Sequence, residues 1–189
     1  WTNGVGTSFQ LSGTTSKTYL VRQTDVAGNV SSNGSLTATL DAAVAAPVLA
    51  LASDTGSSNT DQITSNNLVN VSGLEAGATW EYRIDGGSWT QGAGTAFNLS
   101  AGTHAYDVRQ TDVAGNVSTL TSLGSVTLDT TVATPVLALA ADTGASAIDG
   151  ITSNATVNVS GLETGATWQY RVDGGTWTAG TGTTFNLSD

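Results

Sequence analysis

The chain alternates short apolar stretches with clusters of Gly, Ser, Thr, Asn and Asp. The clearest stretch places Trp80, Tyr82 and Ile84 on one face and Glu81 and Arg83 on the other, which is the two-residue period of a half-buried strand. No window places apolar residues at helical spacing over three turns. The pattern therefore predicts an all-β protein.

Seven such stretches follow one another between residues 48 and 129, and turn signals separate them. They run from Val48 to Leu51, near Leu68 to Ser72, from Trp80 to Ile84, at Trp89, from Phe97 to Ser100, around Tyr106 and Val108, and from Leu123 to Leu128. About seven short antiparallel strands in this length are typical of an immunoglobulin-like β-sandwich. Such a sandwich would bury Trp80, Trp168 and Tyr106 in its core, with Tyr106 placed to form a tyrosine corner.

The same pattern recurs along the chain with a period of 88 residues. The string VLALASDTG at residues 48–56 returns as VLALAADTG at residues 136–144. Trp1, Trp89 and Trp177 are three copies of one position. Recurrence at a fixed period is the signature of a repeat protein.

A second string, RQTDVAGNVS, begins at Arg22 and again at Arg109, 87 residues later, and a one-residue loop difference restores the 88-residue period by Leu40 and Leu128. The frame predicts the C-terminal part of one repeat at residues 1–46, a complete repeat at 47–134 and the N-terminal part of the next at 135–189. A partial sandwich leaves an open sheet edge. We therefore expect either a longer array or completion by neighbouring chains.

The amino-acid composition excludes several classes of function. The chain carries 5 basic and 15 acidic residues, a net charge of −10, which would repel nucleic acid and anionic lipid. It has no Cys and a single His, so thiol chemistry is excluded and most catalytic arrangements are missing. That residue, His104, is predicted to lie in a loop and corresponds to Lys17 in the preceding copy. We therefore predict no enzymatic activity, no membrane insertion and no nucleic-acid partner.

The strings WxYRxDGGxWT, VRQTDVAGNVS and LDTTVATP together resemble the bacterial immunoglobulin-like repeats of giant secreted cell-surface and biofilm adhesins. The resemblance extends over the whole chain. It implies a tandem array exported to the bacterial surface or secreted matrix, a rod whose junctions are often stiffened by calcium. A glycan or protein receptor would then be met by regions outside this segment.

Acidic residues cluster in the predicted loops at the two poles of each sandwich, where successive repeats meet. Calcium takes roughly six to eight oxygen ligands, and carboxylates supply them. The alternative is that these residues cap turns and keep an acidic surface soluble. The hypothesis of a junctional Ca²⁺ assigns its ligands to Asp41, Asp54, Asp61, Asp112, Asp129, Asp142 and Asp149, with Glu75 and Glu163 nearby.

Two further functions stay open. Trp89 and Trp177 follow Gly-rich turns, so they either stack on a sugar, as in a carbohydrate-binding module, or cover the edge of the sandwich. The chain is alternatively a subunit of a self-assembling extracellular filament or sheath, in which strands are shared between chains. The leading expectation is a structural spacer whose partners are neighbouring immunoglobulin-like repeats.

Overall fold

The computed structural model describes residues 1–187, and in this range it contains β-strands and no helix. The strands are β1 (Lys17–Val21), β2 (Gly34–Ala38), β3 (Val48–Leu51), β4 (Ile63–Thr64), β5 (Leu68–Ser72), β6 (Thr79–Ile84), β7 (Thr90–Gln91), β8 (Ala96–Asn98), β9 (Gly102–Thr111), β10 (Thr121–Leu128), β11 (Val136–Leu139), β12 (Thr156–Ser160), β13 (Gln169–Tyr170), β14 (Thr178–Ala179) and β15 (Thr184–Asn186). They fall into two compact units, one from Trp1 to Thr130 and one from Thr131 onward.

The middle of the first unit is a two-layer sandwich. One sheet has the strand order β3-β5-β8, and the other has the order β4-β10-β9-β6-β7. All neighbours pair antiparallel except β4, which runs parallel to β10 with Ile63 opposite Thr127. The prediction of an all-β, immunoglobulin-like sandwich is confirmed.

The strand β4 was missed by the sequence analysis because two residues are too few to show an alternation. Backbone bonds hold it against β10: Thr127 N donates to Gln62 O at 2.9 Å and Asp129 N donates to Thr64 O at 3.0 Å. The predicted strand at Trp89 begins one residue later, at Thr90. These are small corrections, and the other strands lie where the alternation indicates.

The core lies between the two sheets. Trp80 and Tyr106 are buried there, as are the apolar side chains Val69, Val71, Phe97, Leu99, Val108, Val126 and Leu128. The phenol oxygen of Tyr106 accepts a hydrogen bond from the backbone N–H of Ser100 at 2.8 Å, an arrangement like a tyrosine corner. Since the chain has no disulfide, this apolar contact between the sheets is its main source of stability.

One glycine is required by the packing of Trp80. The backbone of Gly92 lies flat against the indole ring, and a Cβ built on it would come within 2.3 Å of ring atoms. The indole Nε1 donates to Gly94 O at 2.9 Å, which fixes the ring beside this loop. The same arrangement recurs at Gly180, Trp168 and Gly182.

The segments on either side of the sandwich contain parts of the same repeat. Residues 1–42 contribute the hairpin β1-β2, in which Tyr19 lies opposite Leu36. The second unit contains the sheet β11-β12-β15 and the short ribbon β13-β14. Trp168, predicted to be a core residue, is only half-buried in this unit.

Candidate functional site

Several side-chain hydrogen bonds meet at the end of the sandwich that receives the preceding linker. Gln110 is the last inward-facing residue of β9 and is completely buried. Its Nε2 donates to Ala45 O at 2.8 Å and to Gly73 O at 3.1 Å, and its Oε1 accepts from Glu75 N at 2.9 Å. One amide thus ties the linker to the β5–β6 loop, and all its strong hydrogen-bonding groups are used.

Glu75 makes a second contact with the same linker. Its Oε1 accepts from the backbone N–H of Ala45 at 2.9 Å. In the second unit, Glu163 accepts from Ala133 N at 2.7 Å, so the contact recurs 88 residues later. We call Gln110, Glu75 and Ala45 the linker clamp. It holds both the N–H and the C=O of one linker residue.

The hydrogen bonds within the loop that follows β9 explain why the string TDVAGN recurs. Asp112 accepts from Asn116 twice, through Oδ1 from the backbone N–H and through Oδ2 from the side-chain Nδ2, both at 2.8 Å. Asp25 and Asn29 form the same pair of bonds in the preceding copy. These bonds to Asn116 are the main reason why the pKa of Asp112 lies below its ordinary value.

This loop also reaches the chain that enters the repeat. Asn116 Nδ2 donates to the backbone carbonyl of Asp41 at 3.2 Å. Asp41 therefore meets the loop through its main chain. Three of the predicted junction residues, Asp41, Glu75 and Asp112, lie around one linker, but Glu75 and Asp112 are engaged in bonds to N–H groups.

At the loop between β3 and β4 the acidic residues are arranged differently. Asp54 Oδ2 accepts from Gln62 N at 3.0 Å, whereas its Oδ1 is buried and has no hydrogen-bond partner. Asp142 repeats this arrangement: Oδ2 accepts from Gly150 N at 3.1 Å and Oδ1 is buried without a partner. Asp61 and Asp149 each accept from the N–H two residues on, as turn residues do. Asp129 is joined to this region through its backbone bond to Thr64.

Residues 1–187 contain no group of three or more His, Cys, Asp or Glu side chains placed to hold a metal ion. The seven predicted ligands are thus divided between the linker end of the sandwich and the two loops that contain Asp54 and Asp142. In these two loops Asp54 and Asp142 each keep a buried carboxylate oxygen without a partner, which composition alone could not reveal.

Trp89 lies on the outer face of the five-stranded sheet, over two cations. The guanidinium of Arg109 is 4.1 Å from the ring centroid and that of Arg83 is 4.8 Å away. Each arginine is also paired with a carboxylate across the β6–β9 ladder, Arg109 with Glu81 at 3.0 Å and Arg83 with Asp107 at 2.9 Å. Trp177 lies over Arg171 at 4.7 Å and is far more exposed, at 58%. Each ring is therefore in contact with arginine.

His104 is part of β9, so its prediction as a loop residue is wrong. Its Nδ1 lies 2.7 Å from Asp85 Oδ2 and its Nε2 lies 3.1 Å from Ala101 O, so both ring nitrogens face acceptors. The bond to Asp85 is the main cause that raises the pKa of His104. The first residues of β9 were not predicted because Thr103 and Ala105 show no apolar alternation.

Gln110 was not predicted to be functional, although the sequence carries a signal for it. Tyr106 and Val108 face inward, and the two-residue period places Gln110 on the same buried face. A buried amide needs partners for its N–H and C=O groups. The sequence placed Glu75 and Glu163 near the junctions but did not reveal their bonds to the linker N–H groups.

Comparison with known families supports this architecture. Residues 43–130 match the family described as bacterial Ig-like domain. Domains of this kind are commonly extracellular or surface-exposed and are typically non-enzymatic. No curated protein matches the chain. Among residues 1–187, no helix is long and apolar enough to cross a bilayer.

Proposed function

We propose that the chain is a structural spacer segment of a bacterial extracellular array, in which each repeat fixes the direction of the linker that enters it. The observation that carries this proposal is the linker clamp. Ala45 is bonded through its N–H to Glu75 and through its C=O to Gln110, which is itself buried in the sandwich. A linker held at both polar groups of one residue bends less than one held by its ends alone.

Two further contacts support the proposal. Thr121 Oγ1 donates to the carbonyl of Pro47, and Asn116 donates to the carbonyl of Asp41. The entering chain is therefore bonded to the repeat on both sides of Ala45. The recurrence of the Glu75 contact as Glu163 with Ala133 supports the same design in the following repeat.

Stiffness at this linker is tested with two nitroxide labels. The chain has no Cys, so a label on Cys at Ser35 in β2 and another at Thr90 in β7 report a single distance. We expect a narrow distance distribution by pulsed electron resonance, and a broader one when Glu75→Ala is combined with Gln110→Ala. A broad distribution in the otherwise unchanged chain would contradict a clamped linker.

The match of residues 43–130 to the bacterial family supports the extracellular location. Antibodies raised against the chain should label intact cells of the source bacterium or their surrounding matrix. Labelling that requires permeabilised cells would contradict this part of the proposal. The two tests are independent, because the first concerns the linker and the second the location.

We further propose that Ca²⁺ binds the loops that contain Asp54 and Asp142. A buried carboxylate oxygen without a partner is costly, and a cation there would supply the missing interaction. The carboxylates at the linker end fit a metal less well because Glu75 and Asp112 already accept from N–H groups. When bound, calcium would neutralise the buried charge and hold the β3–β4 loop.

The calcium proposal is tested by thermal unfolding with CaCl₂ and with chelator. We expect a higher midpoint with calcium, and we expect Asp54→Asn combined with Asp142→Asn to remove that difference. Asp112→Asn is the matched control and should keep it. An unchanged midpoint in the original chain would overturn the proposal for these loops.

A further inference from the structure

Strand β8 is an edge of the sheet β3-β5-β8 in the complete repeat. On its inner side, Thr95 O accepts from Val71 N at 2.8 Å, and Leu99 N donates to the residue before β5 at 2.7 Å. Alternate residues of a strand bond to the same neighbour, so residues 95, 97 and 99 face β5. The N–H and C=O groups of Ala96 and Asn98 therefore point away from β5, to the open side of the sheet.

These main-chain groups are available for a further strand. Within residues 1–187, the N–H and C=O groups of Ala96 and Asn98 make no hydrogen bond, and β8 pairs with β5 alone. A row of unpaired N–H and C=O groups at a sheet edge is a template for pairing with another chain. This edge lies in the middle of the complete repeat.

The sequence around β8 lacks the side chains that keep sheet edges apart. Proteins commonly protect an edge with charged residues or proline. From Gly86 to Tyr106 the chain has no Asp, Glu, Lys, Arg or Pro, and the corresponding residues 1–16 and 174–187 have none either. Since the whole chain carries a net charge of −10, this uncharged edge is where a second copy can approach with little repulsion.

The edge recurs with the repeat. Strand β15 has the same place in the sheet β11-β12-β15. Val159 N donates to Thr183 O at 2.8 Å and Leu187 N donates to Ala155 O at 2.7 Å, the same bonds 88 residues later. The pairing that turns alternate residues of this strand outward is therefore a property of the repeat.

We propose that β8 of one copy of this chain pairs antiparallel with β8 of a second copy, about a two-fold axis at Phe97. Ala96 of each copy then lies opposite Asn98 of the other, and each of these two pairs exchanges two main-chain hydrogen bonds. The two three-stranded sheets become one continuous sheet. This inference goes beyond the proposed spacer role and stands on the sheet edge alone.

The side chains of β8 suit a second copy because the strand is self-complementary. A two-fold contact places the same surface patch on both partners. Phe97, on the axis, keeps its side chain in the core at 8% exposure. Ala96 and Asn98 lie on the opposite face of the strand, where one is small and the other is polar and uncharged. Neither copy therefore presents a bulky or charged group that blocks the other.

The length of β8 sets the strength of the contact. The strand has three residues, so few main-chain bonds form and the dissociation constant should be on the order of 1 mM. An array offers one such edge in each repeat, and linked weak contacts reinforce one another. Single segments should therefore associate weakly, whereas long arrays should associate side by side.

Dilution of the 189-residue chain, followed by NMR, tests the contact. We expect the amide signals of Ala96 and Asn98 to shift between about 0.05 and 2 mM, because these N–H groups gain hydrogen bonds on pairing. The amide of Asn70, on the central strand of the same sheet, should stay in place. Signals of Ala96 and Asn98 that do not move over this range would overturn the proposal.

Two substitutions should weaken the pair by different means. Ala96→Pro removes an N–H that faces away from β5, so the sandwich should stay folded and association should weaken roughly tenfold. Asn98→Asp brings a carboxylate from each copy to the paired strands and should weaken association by a similar factor. Thermal unfolding verifies that both variants are folded, and Asn98→Asp decides the outcome if the proline variant is not.

Asn70→Asp is the matched control. It makes the same change of charge on the same face of the sheet, but on β5, one strand further from the edge. The two carboxylates are then separated by more than a Debye length, so association should change by less than about twofold. An equal loss in Asn98→Asp and Asn70→Asp would contradict pairing at this edge.

A crosslinking arm tests the register. Opposed residues of antiparallel strands have Cα atoms about 4.5–5.5 Å apart, within reach of a disulfide. A mixture of Ala96→Cys chains and Asn98→Cys chains should therefore give mainly the mixed dimer under oxidation. Dimers of one variant with itself join positions displaced by two residues, roughly 8 Å apart, and should be far fewer. Equal yields of mixed and unmixed dimers would contradict the proposed register.

Discussion

The amide nitrogen Nε2 of Gln110 lies 2.8 Å from the carbonyl oxygen of Ala45, although 65 residues separate the two in sequence. This bond joins the buried face of β9 to the chain that enters the sandwich. The same amide also bonds to the main chain at Gly73 and Glu75. Three backbone groups therefore depend on one side chain.

Gln110→Ala should lower the free energy of unfolding of the middle repeat by about 3 kcal/mol, because it leaves buried polar groups unpaired and opens a small cavity. Denaturant unfolding followed by Trp fluorescence measures the change. Gln23→Ala is the control, since Gln23 holds the same repeat position but is exposed. It should change the free energy by less than about 0.5 kcal/mol. A similar loss in both variants would contradict the clamp.

Gly92→Ala should destabilise the repeat by about 3 kcal/mol, since its new Cβ would overlap the ring of Trp80 and force the core to repack. Thermal unfolding and near-ultraviolet circular dichroism of the tryptophan detect this. Gly4→Ala tests the same repeat position where no atom lies within 4 Å of the added Cβ. It should leave both signals unchanged. If Gly92→Ala were as stable as the original chain, the ring could not lie where we describe it.

Trp89→Ala should cost about 1–2 kcal/mol of stability, because Arg83 and Arg109 lose their contact with the ring and the sheet loses apolar cover. Trp1→Ala should leave the middle repeat unchanged, since Trp1 contacts Arg22 and is largely exposed. Chemical denaturation measures both variants. A glycan array run on the same proteins distinguishes the alternative: sugar binding that disappears with Trp89→Ala would favour a carbohydrate-binding role.

Stability should depend on pH through His104. Contact with Asp85 raises the pKa of His104 above its ordinary value of 6.5, so the folded state binds the proton more tightly than the unfolded state. Its stabilising contribution is therefore fully present below pH 6.5 and is lost as the pH rises through the raised value. Thermal midpoints measured from pH 5.5 to about 9 should decline accordingly. His104→Gln should flatten this decline, and a histidine pKa at or below 6.5 by NMR would contradict the assignment.

The alternation of apolar residues predicted most strands of the complete repeat, because each strand has one face in the core. It could not predict β4, which consists of Ile63 and Thr64 alone and is held by backbone bonds to another strand. His104 was placed in a loop because its neighbours are small and polar. Short and polar strands depend on pairing partners that composition does not identify.

The candidate site was harder to predict for a related reason. Asp112 looked like a metal ligand because of its place in an acidic loop, whereas its oxygens accept from Asn116, four residues on. The two-residue period of β9 places Gln110 on the inward face, but its acceptors lie in a linker and a loop far away in sequence. The bonds between Asp112 and Asn116 are local and could be inferred from the sequence. The bonds of Gln110 join distant parts of the chain, so they become visible only in the folded structure.

The parallel pairing of β4 with β10 has a mechanical consequence. Tension applied through the two linkers reaches β4 from its N-terminal side by way of β3, and it pulls β10 toward its C-terminal side. Since these strands run in the same direction, the pull slides one along the other and stretches the bonds from Thr127 N to Gln62 O and from Asp129 N to Thr64 O together. An antiparallel pair pulled from one end would instead unzip bond by bond, so the bonds between β4 and β10 resist this pull together.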